Sequence, residues 1–373
     1  MLILYVAMQY DYGRPESGYS FEHYNFYDAL RHMGHDLLYF DYMSLMQERG
    51  RKWMNHRLLE VARTEKPDLM FTVLFENELD QRVVREISEN TNTVTMNWFC
   101  DDHWRFENFT QRWAPCFNWA VTTAESAVPK YDRIGYKSVI KSQWACNPFL
   151  YRKLAMPRDY DVTFVGKAHG SRSQVIQRLQ EAGIKVHVWG SGWESGRLSQ
   201  EEMIRVFNES RINLNLSNAS TPLYSRPQSL VQRLVKRLFA MIRDSFFKTE
   251  ILARANNEKH HYPEQIKGRN FEVPGCGGFL LTGKAENLED YYEIDKEIAC
   301  FADMNDLIKK VNYYLRDEQL RETIAAKGYQ RTLDEHTYVH RFTEIFQRLG
   351  LLAGSRQSGF TPDVHPGVTE EIG

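Results

Sequence analysis

Nowhere does this 373-residue chain hold an apolar run approaching the roughly 20 residues that span a bilayer, so a membrane-spanning helix is not expected. Its five cysteines, Cys100, Cys116, Cys146, Cys276 and Cys300, include no Cys-x-x-Cys pair. That scatter excludes a zinc knuckle and a disulfide framework, and it suits a reducing, cytoplasmic compartment. A formal net charge of −2 gives no global attraction for nucleic acid, so no nucleic-acid partner is expected. The apolar start, Met1-Leu-Ile-Leu-Tyr-Val-Ala-Met8, lacks the basic flank and the long apolar centre of a signal peptide and reads as a buried strand.

What is present is the composition of a globular protein, 42% hydrophobic and 26% charged, without low-complexity tracts before the tail. The length suits two domains. Short apolar runs alternate with amphipathic stretches, the pattern of a parallel sheet covered on both faces. Strands are expected at Leu2–Met8, Asp36–Tyr42, Leu69–Phe75, Thr93–Phe99, Ala120–Thr123 and Ser138–Ser142. Helices are expected between them at Phe21–Met33, Asn55–Glu65, Gln81–Glu89 and Ser126–Ile134. The order breaks at Cys146–Asp159, around Pro148 and Pro157, and then restarts with Asp161–Gly166, Arg172–Ala182, Lys185–Trp189, Gln200–Glu209 and Ile212–Leu216. A strand at Gly278–Leu281 and helices at Asp306–Arg316, Glu318–Leu333 and Thr337–Leu349 follow. The fold class is therefore α/β, with two doubly wound Rossmann-like domains facing across a cleft. The boundaries are 1–147, a linker 148–160, 161–335 with an insertion 217–263, a C-terminal helix 336–352 and a tail 353–373 rich in Gly, Pro, Ser and charge.

Chemistry concentrates in Glu264–Leu281, where seven residues separate two carboxylates, Glu264 and Glu272, ahead of a glycine-rich turn and an apolar strand. A helix beginning near Asn270 would aim its first amides at the cleft, which suits a diphosphate. A carboxylate such as Glu272 can accept two hydrogen bonds from a vicinal diol, as on a ribose. The same residues also suit an ordinary helix-start carboxylate and a merely permissive turn, and spacing alone does not choose.

The run Arg269-Asn-Phe-Glu-Val-Pro-Gly-Cys-Gly-Gly-Phe-Leu-Leu-Thr282, with Lys296-Glu-Ile, Tyr313-Tyr-Leu-Arg, Gly328-Tyr-Gln-Arg and Glu335-His-Thr-Tyr, resembles the C-terminal domain of CgeB-like (spore maturation protein) glycosyltransferases. The blocks agree in order over about 161–342, and Trp98-Phe-Cys-Asp-Asp102 and Asp161-Val-Thr-Phe-Val-Gly166 fit the same family. That family is similar to the retaining GT-B enzymes, whose donor domain carries a Glu-x7-Glu motif matched here by Glu264 and Glu272.

The resemblance implies a GT-B architecture, with an acceptor-side N-terminal domain and a C-terminal domain that binds a nucleotide diphosphate sugar. It implies hexosyl transfer with retention, without metal or other cofactor, the departing phosphate taking the acceptor's proton. Glu272 would then hold the ribose and Glu264 the donor sugar's hydroxyls, while Gly277 and Gly278 would let backbone approach the donor. Lys167 and Arg172, just after the strand that ends at Gly166, are positional candidates for the diphosphate, with Arg269 a third. Asp101, Asp102 and His103 sit where an acceptor-side base or acceptor-positioning group would sit, or where an Asp pair caps a helix. A GT-B nucleotide-sugar epimerase and a catalytically inactive carbohydrate-binding protein are the alternatives.

Weaker signals remain. Asp159-Tyr-Asp161 has the Asp-x-Asp form of metal-dependent transferases, and His260-His261 lacks a carboxylate at a regular spacing. Ser229–Lys248 reads as a basic amphipathic helix, with Arg233, Lys236 and Arg237 opposite Leu230, Leu234 and Leu238. Such a helix lies on an anionic membrane bearing a lipid-linked acceptor, or packs its stripe on the protein body. Tyr10, Tyr12, Tyr19, Phe21, Tyr24 and Phe26 crowd the first loop and helix, which suits a carbohydrate acceptor as well as a core.

Overall fold

The structure is a computed structural model, and it describes residues 1–217 and 264–352. The expected helix 229–248 and the pair His260-His261 lie outside the described residues, as does the tail.

The first sheet holds β1 (Leu2–Val6), β2 (Asp36–Phe40), β3 (Leu69–Thr72), β4 (Val94–Phe99), β5 (Trp119–Thr122) and β6 (Val139–Lys141), in the order β2-β1-β3-β4-β5-β6. The second holds β7 (Tyr160–Val165), β8 (Val186–Trp189), β9 (Ser210–Asn215), β10 (Leu280–Gly283) and β11 (Ala299–Phe301), in the order β11-β10-β9-β7-β8. Every pairing in these ladders is parallel. The apolar runs explain this, because strands buried on both faces have no polar side to present. Ile3 and Tyr5 enter one core of the first domain, while Leu4 and Val6 enter the other.

Helix starts follow local capping chemistry. Ser199 and Glu202 form a reciprocal capping box on helix Gln200–Glu209, and Asp303 caps Met304–Arg316 through the amides of Asn305 and Asp306. The expected helix Phe21–Met33 is helical without a break over residues 21–32, with a π-turn at His23–Tyr27 inside it and the α-helical Asp28–His32 after it. The short strand β11 and the helix Tyr42–Arg49 add to the sequence-derived pattern.

The C-terminal helix Tyr338–Arg348 returns to the first domain, where Tyr338, Phe342, Ile345 and Phe346 are buried in the core beside Phe26 and Trp98. At roughly 1.5–3 kcal/mol for each large apolar side chain, that burial makes the helix a part of the first domain rather than an appendage. The linker is equally bound. Asn147 Nδ2 donates to Tyr24 O and Asp28 Oδ2, both at 2.8 Å, and Tyr151 is buried in the second domain's core.

Cross-domain contacts arise at the carboxyl ends of the strands. Asp11, after β1, pairs with Arg197, after β8, at 2.5 Å. His103, after β4, lies 3.4 Å from Glu286, after β10, and Ser126 Oγ donates to the same carboxylate at 3.2 Å. Lys141, at the end of β6, donates to the Tyr291 hydroxyl at 3.2 Å. The two sheets therefore face each other with the ends at which open α/β sheets collect ligands.

Candidate functional site between the two domains

On the second domain's side, positive charge gathers at the carboxyl ends of β7 and β9. Gly166 closes β7, and its carbonyl accepts from Trp193 Nε1 at 2.8 Å. The neighbouring loop comes so near that a Cβ on Gly190, at φ +135°, would lie 2.3 Å from Gly166 O. Lys167 follows, exposed, with its ammonium 5.8 Å from the ring of Tyr12 in the first domain. Arg172 is buried. Its Nε and Nη2 donate to Leu216 O and its Nη1 to Lys167 O, so it ties the β7 loop to the end of β9. Burial and the nearby Arg269 charge push its guanidinium down to about 10.

Arg269 opens the short helix Arg269–Gly275 and pairs with Glu272, one turn on. Lys267 is a cation missed by sequence reasoning, although it lies inside the segment already singled out. Burial lowers its ammonium from the usual range; Asp101 across the cleft opposes that shift and Arg172 adds to it. The same loop cluster thus holds Lys167, Arg172, Lys267 and Arg269.

Glu272 has no solvent exposure. Tyr151 Oη donates to its Oε1 at 2.8 Å, and Arg269 Nη1 meets its Oε2. Both oxygens therefore already have partners, one of them from the linker, and nothing in the local sequence pointed to Tyr151. Glu264 is half-buried, and its carbonyl accepts from Glu286 N at 2.8 Å.

Three expectations change. Among the first amides of the helix, Asn270 N donates to Lys267 O while Phe271 N and Glu272 N donate to Gly268 O, each at 2.9 Å, so a diphosphate would rely mainly on side-chain cations. Gly277 and Gly278 enter β10 at its amino end, opposite the cleft, and do not line the donor's approach. A Cβ on Gly278 would meet Phe207 O and Asn213 Nδ2 at 2.9 Å, so the glycine serves packing. Asp102 is fully buried, accepting from Thr110 Oγ1 at 2.5 Å and Tyr131 Oη at 2.6 Å. Burial raises its carboxyl to about 6. It braces the turn after β4 and has no open face for an acceptor.

His103 is also buried, against Glu286, whose carboxylate accepts from Ser126 Oγ as well. Asp101 is half-buried and electrostatically coupled to Lys267. Asp159 and Asp161 flank the amino end of β7, and Asp161 pairs with Arg211 at 2.6 Å. Among the described residues no group of three or more His, Cys, Asp or Glu side chains could hold a metal ion, and no helix is long and apolar enough to cross a membrane.

On the first domain's side the charge is negative. Asp11, Glu22 and Asp101 stand over the carboxyl ends of the first sheet, and Glu22 was not anticipated from sequence. Burial raises its carboxyl to about 7, with the Asp11 and Asp101 charges adding to the effect.

Residues 172–347 match a family described as glycosyl transferase-like. No curated protein sequence matches the chain. Among solved structures, sucrose-phosphate synthase from Thermosynechococcus elongatus superposes with a TM-score of 0.58 at 10% identity, over 94% of this chain and 99% of that one. The Anabaena protein Alr3699/HepE, in complex with UDP and glucose, gives 0.56 at 12% identity over 94% and 100%. A glycosyltransferase from Rickettsia africae ESF-5 gives 0.59 at 8% identity over 95% and 99%. The chain has the GT-B fold of glycosyltransferases.

Proposed function

We propose that the protein transfers a sugar from a nucleoside diphosphate sugar to a hydroxyl acceptor. The observation that carries this reading is the charge division of the cleft. Lys167, Arg172, Lys267 and Arg269 gather on the second domain, opposite Asp11, Glu22 and Asp101 on the first. A diphosphate develops charge as its bond to the sugar breaks, and fixed cations in a partly desolvated cleft stabilise that charge. The glycosyl transferase-like match covers the same cations from Arg172 onward, and the Anabaena protein of the same fold was solved with UDP-glucose.

In this reading Lys167 and Lys267 meet the diphosphate directly. Arg172 adds charge from behind while holding the loop ends together. Arg269 and Tyr151 orient Glu272, and the ribose diol is assigned to its carboxylate, taking the place of part of the Arg269 pairing that now encloses it. Glu264 is assigned to the donor sugar's hydroxyls. The anomeric carbon's bond to the diphosphate breaks with its electron pair going to the phosphate oxygen, and the acceptor oxygen bonds to that carbon on the same face. The proton leaves to the departing phosphate, so the configuration is retained and the transferred group is a hexosyl unit. This reading assigns no metal or other cofactor. The location is cytoplasmic, with peripheral membrane contact through 229–248 where the acceptor is lipid-linked.

A thermal-shift screen against UDP-, GDP-, dTDP- and CMP-sugars tests the donor assignment. Ligand at a hundred times its Kd should add about 2.7 kcal/mol of stability. One base class should raise Tm selectively; no shift with any nucleotide would contradict the proposal and favour a carbohydrate-binding protein. Free sugar or epimerised nucleotide sugar, formed at the same rate with and without acceptor, would favour the epimerase.

A further inference from the structure

We infer that Glu22 binds and orients the acceptor hydroxyl, an assignment that rests on the proposed transfer reaction. In the order β2-β1-β3-β4-β5-β6, the strand order of the first sheet reverses between β1 and β3, and ligands of open α/β sheets settle outside the carboxyl ends at such a reversal. Glu22 stands there. Tyr5 on β1 donates its hydroxyl to Glu22 O at 3.0 Å. The carboxyl of Glu22 is near enough to act electrostatically on Tyr5, on Tyr39 and Tyr42 around the end of β2, and on Cys100 after β4. Asp11, after β1, and Asp101, after β4, act on it electrostatically, while the Ser20 hydroxyl beside it donates to Met8 O at 2.7 Å.

The same residue borders the donor side. Phe21, its neighbour, packs on the turn that starts helix Arg269–Gly275: a Cβ on Gly268 would lie 2.8 Å from Phe21 Cε2 and 3.1 Å from Glu272 Oε1. Asp101 links the carboxylates to Lys267 across the cleft. Asp11 already holds Arg197. Among the described residues Glu22 has no cation within ion-pair distance, so its charge is left for a hydrogen-bond donor brought in by the substrate. The chemistry selects a neutral hydroxyl, because a phosphorylated or carboxylated group would meet three carboxylates. A sugar ring fits this: the exposed ring of Tyr12 borders the same loop and offers an apolar face to sugar C–H groups.

In the transfer step the ionised Glu22 carboxylate accepts the hydrogen bond of the attacking hydroxyl. The new bond forms between the hydroxyl oxygen and the anomeric carbon while the bond to the diphosphate breaks. The electron pair goes to the phosphate oxygen, and the hydroxyl's proton swings from its hydrogen bond with Glu22 to that oxygen as the bond breaks.

The test uses the full chain with UDP-glucose and water as the acceptor, measuring UDP release across pH 5–9 alongside UDP affinity. For the wild type, release should rise with a midpoint near 7, as Glu22 ionises. In Glu22→Gln, release should fall about ten- to a hundredfold and lose that step, with UDP affinity unchanged. Glu22→Asp should recover part of the rate and the step. Equal rates and pH profiles in wild type and Glu22→Gln would overturn the assignment while leaving the donor site standing. A wild type that neither binds UDP nor releases it from UDP-glucose counts against the donor reading itself, and against this one with it. Loss of UDP affinity in Glu22→Gln would also overturn it, since Glu22 would then serve the donor.

Discussion

Replacing Glu272 should destabilise the second domain before it reveals anything about catalysis. Its carboxylate has no exposure and faces Arg269, whose side chain is 26% exposed. Removing one partner of a fully buried ion pair costs about 3–5 kcal/mol, because the other charge is left uncompensated. Since part of Arg269 reaches solvent, the low end applies, and Glu272→Gln is expected to lose about 3 kcal/mol. Tyr151→Phe removes a single hydrogen bond to a charged group and should cost about 1.5–3 kcal/mol. With a urea m-value of about 2–3 kcal/mol/M, the Glu272→Gln midpoint falls by roughly 1 M. The assay is urea unfolding followed by far-UV circular dichroism, with the second domain's transition fitted separately. Arg269→Met combined with Glu272→Leu should recover most of the loss, as apolar replacements of a buried pair commonly do. A Glu272→Gln midpoint equal to wild type, or a double variant as weak as the single one, would refute the buried-pair reasoning. It follows that loss of turnover in Glu272→Ala assigns a ribose role only if the variant is shown to be folded under the assay conditions.

Other outcomes follow from the same structure. Gly278→Ala should cost about 1–3 kcal/mol through overpacking against Phe207 O and Asn213, yet keep UDP affinity, measured by calorimetry on the folded fraction. Glu22 holds its proton to about pH 7 in the folded chain, against 4.5 unfolded. The folded state therefore binds more protons across that window, and stability falls as pH rises through it, by at most about 3 kcal/mol. Glu22→Gln should remove this component, so its Tm advantage over wild type should grow between pH 4.5 and 7. The His103 pairing lowers the carboxyl of Glu286, so the bridge's stabilisation is present above the unfolded carboxylate range and is lost as pH falls. A His103→Ala and Glu286→Ala double-mutant cycle should give a coupling of about 1 kcal/mol at neutral pH, less in acid; additive effects would deny the bridge.

The sheets were legible because the strands are apolar runs bounded by turn residues, and several helices have a cap that can be read locally, as at Ser199 and Glu202. β11 was not, since Ala299–Phe301 is three residues long and carries no periodicity. Gly166, Lys167, Arg172 and Arg269 were found from position relative to a strand end or within the Glu-x7-Glu segment, and the fold brings them together. The rest depended on distant pairing. Tyr151 reaches Glu272 across 121 positions of sequence, and Glu286 reaches Ser126 across 160. Glu22 is distinctive only because Asp11, earlier in the same connection after β1, and Asp101, after β4, arrive beside it. Gly277 and Gly278 misled because a motif gives spacing without saying which end of the sheet it occupies.

The central claim is that cations at the ends of β7 and β9 hold a nucleoside diphosphate. Calorimetric titration of UDP into wild type and Lys167→Ala plus Lys267→Ala, at low and high salt, tests it most directly. The account predicts saturable binding to the wild type that weakens with salt, and a loss of at least tenfold in the double variant with its fold intact. Equal affinity in the two proteins, or no UDP binding by the wild type, would contradict it.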